Sequence, residues 1–172
     1  MKTLMSAGML LVVLALGVGQ GKVELDALSD KISSHLESNL QGWKYERIPP
    51  FGTPETKVIV HRWYTTNRAV MIQIAVRATE EDAKKEIRSS LEFRREPQEL
   101  IGLGDEAYVP EPNQSDLVLR RGRYVIYIHP YVEGDSALQN LPAPEREARE
   151  KTERDKIGKE FAKLLAAIEL PA

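Results

Sequence analysis

The sequence predicts an α+β domain in which a mostly antiparallel sheet of five to six strands is covered by three helices. Three observations predict it. Apolar residues recur at spacings of three and four in three separate stretches, each long enough to make a helix. Between those stretches lie runs rich in β-branched and aromatic residues, joined by short polar segments that turn one strand back on the next. The order is one helix, two or three strands, a second helix, three strands and a last helix. Hairpin-connected strands of this kind favour an antiparallel sheet over a doubly wound parallel one.

The first twenty residues carry an address. Met1-Lys2 gives a short positive start, and an apolar stretch from Leu4 to Val18 follows, broken by Ser6 and a few glycines. Gly17 and Gly19 place small residues before a cut at Gln20, and Gly21 offers a second cleavage point, so residues 1–19 are expected to be a signal peptide. An uncleaved anchor is the alternative, but about 15 apolar residues fall short of the roughly 20 that a spanning helix needs. No cysteine stands anywhere in the chain, which excludes a lipoprotein anchor, disulfides, thiol catalysis and every cysteine metal site. The single domain, 22–172, is therefore expected to be secreted or periplasmic, and to meet a membrane only if the leader is retained. A domain of about 150 residues buries enough surface to dispense with covalent staples.

From Lys22 to Leu40 the residues Leu25, Leu28, Ile32, Leu36 and Leu40 form one helical stripe, and Gly42 is a plausible stop. Trp43 and Tyr45 open a different pattern, which the Ile48-Pro49-Pro50 segment, Gly52 and Pro54 interrupt. Val58 to Tyr64 and Ala69 to Arg77 read as a β-hairpin about Thr65-Thr66-Asn67-Arg68. Its register stays open at this stage. A three-residue turn would put Ile59, His61 and Trp63 beside Met71, Gln73 and Arg77, whereas an even-numbered turn exchanges the partner faces.

Thr79 with Asp82 three residues later is a variant capping box, and Glu80, Glu81 and Asp82 suit the positive end of a helix continued by Ala83, Ile87 and Leu91. Strands are then expected near Ala107–Pro110, over Asp116–Arg121 and over Arg123–Pro130, the last two joined at Gly122. In the last helix ten of the twelve residues from Glu145 to Lys156 are charged, five of each sign. That segment resembles a disordered tail until the spacing is read. Glu145 with Arg149, Glu147 with Lys151, Glu150 with Arg154 and Asp155 with Lys159 each place the acid four residues before the base, worth roughly 0.2–0.5 kcal/mol apiece. Ile157, Phe161, Leu164, Leu165 and Ile168 then supply an apolar stripe that docks on the sheet.

Charge and motif narrow the function. The formal net charge of −2, from 24 basic and 26 acidic residues, gives no cationic field to gather polyphosphate, so no nucleic-acid partner is expected. Gly102-Leu103-Gly104-Asp105-Glu106-Ala107-Tyr108 is too poorly placed for a phosphate loop, because a strand rather than a helix follows it. It reads as a tight turn, and Asp105 and Glu106 are expected to point to opposite faces. His35, His61 and His129 show no metal spacing, so neither a metal nor a cofactor is expected unless His61 and His129 share a face with a carboxylate. No serine stands in a nucleophile elbow. Arg120, Arg121 and Arg123 about Gly122, with Arg77, His61 and Trp63 from the earlier hairpin, form the candidate binding surface; strand edges protected by charge are the alternative account of those arginines.

The GLGDEAY turn followed by Leu117-Val118-Leu119-Arg120-Arg121-Gly122-Arg123-Tyr124-Val125-Ile126 resembles an arrangement in exported bacterial proteins whose domains are similar to the Mog1/PsbP-like α/β/α sandwich. The resemblance covers Ala69 to Pro130. It implies an antiparallel sheet covered by helices and use in protein binding, assembly or sensing, and it carries over no catalytic residue. The expected function is an exported, noncatalytic binding or accessory domain of the cell envelope, with an envelope protein or small ligand held on the sheet face or loop edge. Two alternatives stand beside it: a carboxylate- or histidine-assisted hydrolase, and a membrane-tethered accessory subunit of an envelope complex.

Overall fold

A computed structural model describes residues 17–48, 58–111, 114–132, 138 and 140–171. The apolar stretch before residue 17, where the signal peptide is expected, and the proline-rich interruption after Ile48 lie outside the described residues. Among those described, no helix is long and apolar enough to cross a membrane.

The described residues form three helices and one sheet: α1 (Gly17–Asn39), α2 (Glu80–Leu91) and α3 (Ala143–Ala167), with strands β1 (Lys44–Ile48), β2 (Val58–Tyr64), β3 (Arg68–Val76), β4 (Gln98–Glu99), β5 (Glu106–Val109), β6 (Leu117–Arg121) and β7 (Tyr124–Val132). All seven strands form one antiparallel sheet in the order β1-β2-β3-β7-β6-β5-β4. The class is the one expected, but the strand count exceeds the expected five to six. The addition is β4, two exposed residues paired to Val109 and Tyr108, too short to show an alternating pattern.

Local chemistry accounts for the elements. Thr79 is extended and its hydroxyl accepts the backbone N–H of Asp82 at 3.1 Å, which closes the first turn of α2. Helix α1 starts earlier than Lys22, and α3 carries the Glu145–Arg149 and Glu150–Arg154 pairs. Two other expected pairs are replaced. Lys151 turns forward to Asp155 at 2.7 Å in place of both, and Glu153, outside the expected pairs, reaches Arg68 at the start of β3.

The β2–β3 hairpin closes with Thr65 N–H donating to Arg68 C=O at 2.8 Å, so Tyr64 stands opposite Ala69. That even-numbered turn sets the register. Ile59, His61 and Trp63 lie beside Ile74, Ile72 and Val70, not beside Met71, Gln73 and Arg77. One face of the sheet, packed by α1 and α3, carries the main core: Trp63, Ile72, Ile74, Leu119, Ile126 and Ile128 from the strands meet Ile32, Leu36, Ile157, Phe161 and Leu165 from the helices. Gly158 allows α3 its close approach, because a Cβ there would lie 2.5 Å from Leu117 Cδ1. The opposite face has a smaller core, in which Ala83 and Ile87 of α2 cover Ala75, Val118 and Val125.

Candidate functional site

The six residues singled out by sequence do not form one surface. His61 and Trp63 are completely buried against α1 and α3. Arg77 and Arg120 belong to the opposite face, beneath α2: Arg77 is paired with Glu86, and Arg120 is only 5% exposed. Arg121 points the other way and donates to the C=O of Ile168 at the end of α3, while Arg123 lies over the ring of Tyr124. Alternation along a strand separates neighbours that look clustered in the sequence.

His61 has a structural partner. Its Nε2 lies 2.7 Å from Ser29 Oγ of α1, and the ring of Tyr45 meets it edge-on at 5.0 Å. Burial, reinforced by the charge of Arg47, pushes the imidazole down to about 4. A serine and a histidine at this distance have the geometry of a nucleophile and its base. Both are completely buried, so no substrate reaches them, and Nδ1 has no hydrogen-bond partner among the described residues to orient the ring. The pair latches α1 to the sheet.

His129 cannot join it. The residue lies on β7 on the α2 face, whereas His61 lies on β2 on the other face, so the sheet itself separates them. The meeting of His61 with His129 therefore does not occur, and the described residues contain no group of three His, Cys, Asp or Glu side chains able to hold a metal.

The GLGDEAY turn and the Arg120-Arg121-Gly122 segment form a clasp. Gly104 has φ +69°, and a Cβ on it would fall 2.5 Å from the carbonyl oxygen of Arg120, so glycine is required there on two counts. Asp105 N–H donates to that carbonyl at 2.9 Å, and its carboxylate accepts from Gly122 N–H at 2.6 Å and from Arg120 at 3.0 Å. Glu106 accepts from Arg120 Nε at 2.5 Å, and Glu80 at the start of α2 accepts at 3.0 Å. Burial by itself would lower the guanidinium pKa; the carboxylates of Glu106, Asp105 and Glu80 outweigh it and raise it. Asp105 and Glu106 thus converge on one cation, contrary to the expectation of opposite faces. Alternation does not govern them because β5 begins only at Glu106, and Asp105 still belongs to the turn.

The part of the α2 face that α2 does not reach is partly open: Val60 and Ala69 on it are buried, but other side chains there meet solvent. The helix packs on β6 and β7. Beyond it, the register sets two cross-strand rows on the same face: Lys44, Tyr64, Ala69 and Tyr131 in one, and Glu46, Arg62, Met71 and His129 in the next. Tyr131 is 46% exposed, Arg62 is exposed and lies over the ring of Tyr64, and Tyr64, Met71 and His129 are half-buried. Glu46 balances Arg62 at 3.2 Å, and Asp116 lies 3.2 Å from His129. The surface is therefore aromatic and polar with little net charge. Sequence reasoning missed it, because Tyr64, Met71, His129 and Tyr131 come from three strands and share a face only through the β2–β3 register and the long-range pairing of β3 with β7. The one cue in the chain was the alternation of Met71 with the buried Val70 and Ile72.

Comparison with protein-family models, with curated proteins and with solved structures finds no match to the chain. Fold and surface together define an α+β domain with one closed sheet face and one partly open one.

Proposed function

We propose that the chain is an exported, noncatalytic binding domain of the cell envelope that holds an envelope protein or small ligand on the open part of its α2 face. The observation that carries this reading is the surface formed by Arg62, Tyr64, Met71, His129 and Tyr131. It offers rings with polar tips and planar hydrogen-bonding groups on a rigid sheet, the composition that interfaces favour. The apolar N-terminal stretch supports the exported address, and the resemblance of the GLGDEAY turn and the segment after it supports use as a binding domain. The burial of the Ser29–His61 pair and the separation of His61 from His129 weigh against the hydrolase alternative.

The test is capture from envelope extract by the wild-type domain and by an Arg62→Ser, Tyr131→Ser variant. Both substitutions lie at exposed positions, so the fold is expected to survive, as circular dichroism would show. Retention of a partner by the wild type and its loss by the variant supports the reading. Equal capture by both, or robust hydrolytic turnover by the purified domain, overturns it.

A further inference from the structure

We infer that the open part of the α2 face carries a site for a soft monovalent metal ion of the copper(I) class, held between the thioether of Met71 and Nε2 of His129, with Asp116 orienting the imidazole. The inference rests on the reading of that face as the ligand surface.

Met71 and His129 stand directly opposite each other across β3 and β7. Opposed residues of an antiparallel pair have Cβ atoms about 4.5–5.5 Å apart on the same face. The side chains of a methionine and a histidine on adjacent same-face positions can both reach one ion. On the other side of His129, Nδ1 lies 3.2 Å from Asp116 Oδ2. A carboxylate there favours the tautomer with the proton on Nδ1, which leaves the lone pair on Nε2. Metal-binding imidazoles commonly have such a partner, which fixes the ring and raises its basicity. The His129 side chain is 24% exposed, so part of it meets solvent without unfolding.

The donor set selects the ion. Magnesium and calcium require a shell of oxygens, and structural zinc requires four strong ligands, which these residues do not supply. Thioether sulfur with imidazole nitrogen suits copper(I), a soft ion content with few ligands. Arg62, opposite Met71, is already balanced by Glu46. The amide nitrogen of Gln73 lies 3.9 Å from the Met71 sulfur, a weak contact that a metal bond would readily displace.

Silver(I) nitrate is the probe, because silver(I) shares the ligand preferences of copper(I) and does not cycle between oxidation states under these conditions. The full chain, labelled with carbon-13 in its methionine methyl groups, contains four methionines, Met1, Met5, Met9 and Met71. The Met71 resonance is identified by its loss in Met71→Leu. On titration with silver(I), the Met71 methyl and His129 ring signals are expected to shift together and to saturate together. His129→Gln is expected to abolish the Met71 response. Asp116→Asn should weaken the apparent affinity by about 10–100-fold while both ligands remain. A Met71 methyl that does not move, or that responds equally in His129→Gln, overturns the proposal. If silver(I) fails to bind but partner capture still depends on Arg62 and Tyr131, this inference alone falls. If silver(I) binds as described and capture is indifferent to those residues, the site stands and the wider reading of the surface falls.

Discussion

On the face packed by α1 and α3, Trp63, Phe161, Ile72 and Ile126 are completely buried, whereas on the face that, among the described helices, α2 packs, Tyr131 remains 46% exposed. Helix length explains much of the difference. Helices of 23 and 25 residues span roughly 35 Å each at 1.5 Å per residue, and the 12 residues of α2 span roughly 18 Å. A seven-stranded sheet is about 28 Å wide at roughly 4.8 Å between neighbouring strands, so two long helices can close one face and a single short one leaves part of the other open. On the closed face, residue identity answers to packing. On the open part of the other, nothing in the core requires an arginine, a histidine and two tyrosines.

The largest expected effect sharpens that contrast from the closed side. Trp63 stacks on Tyr45 with ring centroids 4.9 Å apart and faces Phe161 at 6.4 Å. Trp63→Ala removes a large buried ring that the surrounding rigid strands cannot collapse to fill, and should cost about 3–5 kcal/mol. Urea denaturation followed by far-ultraviolet circular dichroism measures it. A loss below about 1 kcal/mol would contradict the closed packing described for this face.

Acid should act on the same face. The folded pKa of His61, about 4, lies below its unfolded value of 6.5, so below pH 6.5 the unfolded chain takes up a proton that the folded chain refuses. Stability therefore falls as the pH drops from 6.5 to 4. The loss through this residue is about 3 kcal/mol, because each pH unit between the two values is worth about 1.4 kcal/mol. Above pH 6.5 the imidazole is neutral in both states and contributes no slope. His61→Gln should abolish that component of the pH dependence, measured as the difference between the two proteins' unfolding free energies across this range. Parallel profiles would show that His61 is not the buried neutral group described.

Much of this architecture was legible in the chain, and what was not has identifiable physical causes. The α2 cap at Thr79 and the apolar stripes of α1 and α3 depend on residues three and four apart, so a linear reading finds them. The register of β2 against β3 depends on how Thr65 and Arg68 close a turn, and polar residues of that kind permit several closures. The burial of His61 and Trp63 was hidden with it, and the gathering of Tyr64, Met71 and His129 also needed the pairing of β3 with β7, which no local turn announces. The clasp was half visible. Its glycines and Asp105 announced a turn, but the contact from Arg120 to Glu80 spans 40 residues and has no local signature.

That clasp provides the next test, on the covered part of the α2 face. Arg120→Met keeps most of the apolar stem and removes the cation shared by Glu106, Asp105 and Glu80. Breaking a fully buried pair costs about 3–5 kcal/mol, but Asp105 and Glu80 are about half exposed and can turn to water, which brings the expectation to about 2 kcal/mol. The same denaturation experiment measures it. A neutral or stabilising result would mean that packing by α2, rather than the ion cluster, holds this end of the sheet.

The smallest effect on stability should come from the open part of that face, and it is the most informative about function. Tyr131→Ser removes a ring that already meets solvent over nearly half its surface, so the unfolding free energy should change by no more than about 0.5 kcal/mol. Capture of an envelope partner should nevertheless fall, because exposed aromatic rings supply much of the contact energy at interfaces. A stability loss of about 2 kcal/mol would instead assign Tyr131 to the packing of β7 and remove it from the binding surface. Unchanged stability together with reduced capture would establish that the two parts of this face serve different ends: Arg120 and α2 hold the sheet, and the rows containing Tyr131 and Arg62 hold the ligand.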